Sequence, residues 1–116
     1  HVAPFFRGIS LTVQAKLREP VSVEQLNTLY EAAYADCDLI KVTGDEMPRV
    51  QGIVSCDGAV VGGISINPER PDEIAVVSVI DNLRKGAASQ AIQNINLAMG
   101  YDELMGLSTG NEGDGA

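Results

Sequence analysis

The residues able to do chemistry in this 116-residue chain gather mainly at one junction. Val79-Ile80-Asp81-Asn82-Leu83-Arg84-Lys85-Gly86-Ala87-Ala88 runs from a β-branched stretch through a polar cap into a Lys-Gly-Ala-Ala helix start. Glycine inside a helix costs about 1 kcal/mol relative to alanine, so Gly86 needs a reason. Close approach of a ligand or of another backbone is one. Free N–H groups and the positive end of the helix dipole suit a phosphate or carboxamide oxygen at such a point. Lys85 adds a cation. The alternative is that Gly86, Ala87 and Ala88 only let the helix pack tightly on a neighbour. Arg7 follows Pro4, which holds the residue before it extended, and its guanidinium offers a fork of donors to a carboxylate or phosphate. A local acid is the competing partner. His1 is the only histidine, and Cys37 and Cys56 are the only cysteines. The cysteines lack a CxxC spacing, are too few for a disulfide framework, and read as buried structural thiols in a reducing, cytoplasmic setting. No metal site is expected.

The elements that must position these groups are legible in outline. From Gly8 to Leu17, apolar and polar residues alternate, with Ile9, Leu11, Val13, Ala15 and Leu17 on one face, as in a half-buried strand. Ser22 and Gln25 have capping-box spacing, and Val23, Leu26, Leu29, Tyr30 and Ala33 follow at helical intervals, which predicts a helix over about 23–35. A short strand is expected at 39–42. Two more are expected, one over 52–56 continuing through 60–66 and one over 74–80, with a proline-marked loop at 67–72 between them. Gly58, Gly62 and Gly63 mark bulges or close backbone approach in the middle strand. Asp81 or Asn82 then caps a helix whose apolar stripe is Leu83, Ala87, Ala88, Ala91, Ile92, Ile95 and Met99, and Gly100 is placed to end it. Strand-helix-strand-strand-strand-helix is an α+β pattern, a mixed or antiparallel sheet with helices on one face.

Bulk composition narrows the function classes. With 45% apolar residues the chain can bury a core, built mainly from Val, Ile, Leu and Ala because aromatics are scarce. Sixteen acidic against eight basic residues give a formal charge of −8, which repels nucleic acid and anionic membrane surfaces. No apolar run approaches the roughly 20 residues that cross a bilayer. The chain starts His1-Val2-Ala3-Pro4 without an initiator Met and reads as a piece of a longer protein, while 108–116 is small and polar and reads as a disordered tail.

Asp81 to Gly100, DNLRKGAASQAIQNINLAMG, resembles the DNLxKGAAxQAxQNxNLxxG segment of N-acetyl-γ-glutamyl-phosphate reductases. DNLxKGAA is shared with aspartate-semialdehyde dehydrogenases, whereas QNxNLxxG favours the reductase. His1 to Ile9 is similar to the family's HxxPxxRGI segment. Val50 to Gly58 is less faithful to its RGSNxCD region: Gly52, Cys56 and Asp57 match, while Gln51 and Val54 stand at the Arg and Asn positions. The resemblance implies a partial glyceraldehyde-3-phosphate-dehydrogenase-like C-terminal domain. Residues 1–81 would belong to the substrate and dimerisation domain, and 82–107 to a helix that packs on an absent dinucleotide-binding domain. It further implies NADP as cofactor, with Asn82, Lys85, Gly86 and Ala87 beside the nicotinamide, and His1 and Arg7 on the substrate side. A homo-oligomer, dimer or tetramer, is expected through the sheet.

The family reaction belongs to arginine biosynthesis. A cysteine thiolate and an acyl phosphate form a thioester, which hydride from NADPH reduces to the semialdehyde. The resemblance places the nucleophilic cysteine in an upstream G-C-[FY]-x-T segment and the acid–base histidine also upstream, so neither Cys56 nor His1 takes those roles and the isolated chain is expected to be inactive. Three alternatives stand beside this: an aminoadipyl-phosphate reductase of lysine biosynthesis, an aspartate-semialdehyde dehydrogenase, and a non-catalytic oligomerisation module.

Overall fold

Alternation of side chains gives β1 (Ile9–Lys16) its two faces in the computed structural model, which describes residues 6–108. Helix α1 (Val23–Ala33) opens on the expected capping box: Gln25 N–H donates to Ser22 Oγ at 3.1 Å, and Ser22 N–H donates to Gln25 Oε1 at 2.8 Å. β2 (Ile40–Val42), β3 (Ala59–Ile66), β4 (Glu73–Ile80) and α2 (Ser89–Met99) complete the elements that matter here. The four strands form one mixed sheet in the order β1-β4-β3-β2, with β2 parallel to β3 and the other pairs antiparallel. This is the expected α+β layering, with the helices on one face.

Each face of the sheet carries its own small core. On the helical face, Leu26 of α1 packs with Ile64, Ile74 and Val76, with Tyr30 and Val61 at the margin. On the other face, Ile53 packs with Val77 and Val79. Gly62 and Gly63 are what let β3 serve both. The register slips between Gly62 and Ser65, so Val61 and Ile64 both point to α1 although three residues apart. A Cβ on Gly62 would lie 1.9 Å from Thr43 Oγ1, and Gly63 sits at φ +58°. Both glycine expectations, close approach and bulge, are met here.

Four expectations need correction. Residues 52–56 are not a strand. A 3-10 turn occupies Val50–Gly52, and Ser55 adopts φ +68° with its N–H donated to Asp81 at 2.7 Å, which removes it from any ladder. The apolar face of β1 is not buried: Ile9, Leu11 and Val13 are 42%, 56% and 48% exposed, because α1 packs over β4, β3 and β2 and β1 is the edge strand beyond them. The last helix does not start as a regular α-helix but as a π-type turn, Arg84–Ala88. Cys37 is exposed in the turn after α1 and Cys56 is only partly buried, so neither is a fully buried thiol. Among the described residues, no helix is long and apolar enough to cross a membrane. His1 and residues 109–116 of the expected tail lie outside the described residues.

Candidate cofactor-side turn

The junction after β4 is built around two buried carboxylates. Asp81, fully buried, accepts the Leu83 N–H at 2.9 Å on one oxygen and the Ser55 N–H at 2.7 Å on the other, where Arg7 Nη2 also lies at 2.6 Å. Asp57, 3% exposed, receives Arg84 Nη1 at 3.2 Å, the Ser108 N–H at 2.9 Å and the Ser89 hydroxyl. Burial alone pushes both carboxyls up. The donors more than offset it: Ser55, Leu83 and Arg7 hold Asp81 below the usual carboxylate range, and Ser89, Ser108 and Arg84 do so for Asp57. Both are therefore ionised anchors at neutral pH.

Asn82, Lys85, Gly86 and Ala87 are brought together on the single turn that these anchors hold. Asn82 does not cap the helix; its Oδ1 accepts the Gly8 N–H at 2.6 Å and ties the turn to the start of β1. Nor is Asp81 the N-cap, which is Leu83 for the π-type turn and Ala88 for α2; Asp81 instead braces the approach by accepting the Leu83 N–H. Lys85 Nζ donates to Gln93 Oε1 at 2.5 Å, beside a cavity of about 280 Å³ that Cys37, Asp102 and Glu103 also line. Gly86, Ala87 and Ala88 are exposed. A Cβ on Gly86 would meet Ile80 Cδ1 at 3.4 Å and the Asp81 carbonyl oxygen at 3.5 Å, ordinary contact, so packing inside this chain does not demand glycine there.

Arg7 is brought to the same junction, and its resolved partner is the local acid, Asp81. Its Nε is buried without a hydrogen-bond partner among the described residues, and the residue lines a cavity of about 230 Å³ with Val50, Gln51 and Val54. In the sequence Asp57 stands out only as a match to the RGSNxCD region and Asn96 only as part of QNxNLxxG, and neither they nor Ser89 is given a role. Ser89 and Asn96 are nevertheless the buried positions of α2, and Asn96 Nδ2 donates to the Glu103 and Met105 carbonyls at 3.1 and 3.0 Å. Their spacing of seven, which puts both on one side of the helix, was the available signal. The apolar stripe noted in the sequence is exposed in this chain: Ile92, Ile95 and Met99 are 40%, 59% and 64% exposed.

A mixed four-stranded sheet with its helices on one face and a small-residue turn leading into the last helix defines a small α+β domain. The fold matches the crystal structure of aspartate semialdehyde dehydrogenase II complexed with ASA from Vibrio cholerae, with a TM-score of 0.66 and 28% identity, over 83% of this chain and 28% of that one. Residues 1–82 match the model of the semialdehyde dehydrogenase dimerisation-domain family, and the chain belongs to that family. Similar relatives include N-acetyl-gamma-glutamyl-phosphate reductase of Xanthomonas euvesicatoria, 47% identical over 107 residues, which is 92% of this chain and 33% of the reductase. Another is the enzyme of the same name from Stenotrophomonas maltophilia, 49% identical over 104 residues, covering 90% of this chain and 32% of that enzyme. The chain thus spans about a third of the length of the curated relatives it matches.

Proposed function

We propose that this chain is the C-terminal part of an NADP-dependent N-acetyl-γ-glutamyl-phosphate reductase of arginine biosynthesis, a phosphorylating semialdehyde dehydrogenase working in the cytoplasm. It supplies one wall of the cofactor site and the sheet of a homo-oligomer. The observation that carries this reading is the orientation of α2. Its polar side is anchored inward by Ser89 and Asn96, so Leu83, Ile92, Ile95 and Met99 face outward beside the exposed Gly86-Ala87-Ala88 surface. An apolar stripe continuous with an open, small-residue turn suits a helix that packs on a dinucleotide-binding domain and lets a flat ligand approach the backbone. In this reading 82–107 forms that contact and 1–81 belongs to the substrate and dimerisation domain.

Asn82, Lys85, Gly86 and Ala87 would then stand beside the nicotinamide. The group, when bound, supplies the hydride; this chain positions it. Arg7 and His1 would lie on the substrate side. For Arg7 the support is the spare Nε and the adjoining cavity, which together suit an acceptor oxygen on a partly apolar acyl group. The nucleophilic cysteine and the acid–base histidine are expected from the rest of the enzyme, so the purified chain should not catalyse phosphate-dependent NADP reduction with N-acetylglutamate semialdehyde. Substituting the chain for the corresponding third of the Xanthomonas reductase should restore that reaction. A folded chimera without activity, or activity from the chain alone, would overturn the proposal.

One observation favours a second reading, an oligomerisation module without a cofactor role: the uncovered apolar face of β1, Ile9, Leu11 and Val13. Light scattering beside an NADP titration separates the two. Saturable NADP effects at 82–87 support the cofactor wall, whereas a dimer indifferent to NADP supports the module.

A further inference from the structure

The turn that opens the last helix is irregular. Gly86 N–H donates to the Asp81 carbonyl at 3.0 Å, five residues back, and the Ser89 N–H likewise reaches Arg84. Such π-type turns are rare, because the sequence can form α-helix instead, and they persist where something outside the helix holds them. Here the holding groups are the two buried carboxylates, one at each end. Asp81 takes the Leu83 N–H at the start of the turn, and Asp57 takes the Ser89 hydroxyl just past its end while also holding the guanidinium of its first residue, Arg84.

Both carboxylates are reached from remote parts of the chain. Arg7 comes to Asp81 from before β1 and Ser55 from the loop before β3, while Ser108 comes to Asp57 from beyond α2; Gly8 adds a bond from before β1 to Asn82. Ser55 accepts a left-handed backbone, φ +68°, while donating its N–H to Asp81. A non-glycine residue in that conformation is uncommon and is kept only where the surroundings determine it. Simple core filling does not account for this. An ion pair buried for stability alone is often replaceable by apolar residues without loss, whereas each of these carboxylates binds donors of three separate residues that all converge on one turn.

We propose that Asp81 and Asp57 are positioning residues for the 84–88 turn, and that Arg7 acts on the turn through Asp81. Their joint effect is to fix where Asn82, Lys85 and Gly86 are presented. That this presentation serves a dinucleotide rests on the function proposed above; the clamp itself rests on the bonds.

Amide hydrogen exchange of the full chain, followed residue by residue by NMR, tests this. In Arg7→Leu the amides of Ser55, Leu83 and Gly86 should exchange about tenfold faster, with β3–β4 ladder amides changed by less than about twofold. Arg7→Lys, which keeps the charge, should restore most of the protection. If Arg7→Leu does not fold, Asp81→Asn, which keeps the shape, is read in the same way. Equal acceleration throughout the sheet, unchanged exchange at the three amides, or no rescue by lysine would each overturn the proposal. NADP binding by the folded chimera with the Xanthomonas reductase is the separate arm. A chimera that binds no NADP would count against the cofactor reading and leave the clamp standing, whereas equally tight NADP binding in the chimera carrying Arg7→Leu would overturn the link between clamp and presentation.

Discussion

Helices α1 and α2 have the same length, eleven residues each, and both are amphipathic, yet they sit in opposite senses. α1 buries an apolar residue, Leu26, against Ile64, Ile74 and Val76, and turns polar residues outward. α2 buries Ser89 and Asn96 and turns Ile92, Ile95 and Met99 outward. The difference lies in what waits beneath each helix. Under α1 is a β-branched sheet surface, where apolar contact is the gain. Beside α2 are an ionised Asp57 and the Glu103 and Met105 carbonyls, which would be left unpaired by an apolar side chain. An amphipathic period therefore fixes that a helix has two sides, not which of them faces its own domain.

The comparison can be broken by substitution. Leu26→Ala should destabilise the chain by about 2–5 kcal/mol in denaturant unfolding, as for other buried leucines. Ser89→Ala removes a donor from Asp57 and should cost about 1–3 kcal/mol; a neutral result would mean that α2 is not anchored by its polar side. Acid should act on the α2 end before the α1 end. Asp57 and Asp81 have folded-state values below the unfolded one, about 3.9. The stability they contribute is present above that value and is lost as pH falls through the folded values. Circular dichroism and amide exchange should therefore show 82–89 loosening below about pH 4 while the α1 core persists. The smallest effect is expected at Ile95, 59% exposed, where Ile95→Ala should change the stability of this chain by no more than about 0.5 kcal/mol. A loss at Ile95 as large as that at Leu26 would mean that the outward stripe is covered within this chain, against the reading that it awaits another domain.

Much of the fold was legible in the residues. The capping box of α1, the strands at 9–16, 40–42 and 73–80, the turn loop before β4 and the left-handed Gly100 all follow from local rules, because each is decided by neighbours within a few positions. The bulge at Gly62-Gly63 was foreshadowed for the same reason. The stretch 52–56 misled because its β-branched composition suits a strand, while the competing partner for its backbone, Asp81, lies 26 residues from Ser55. For the candidate site, the grouping of Asn82, Lys85, Gly86 and Ala87 was visible as one motif, but the anchors were not. Asp57, Ser89 and Ser108 meet only after the sheet has formed, across separations of 32 and 51 residues.

The amino-acid sequence by itself determined the α+β class, the capped start of α1, the strands β1, β2 and β4, the end of α2 at Gly100, and the cluster of small and polar residues after Ile80. Those features depend on periodicity, caps and turn chemistry, which act over one or two turns of chain. Only the tertiary structure decided that the last helix faces its apolar stripe outward, that Arg7 is engaged with Asp81, and that the face of β1 is left uncovered. The physical reason is the same in each case. Burying a polar or charged group depends on which partners the fold brings within hydrogen-bonding distance, and no local pattern states that distance.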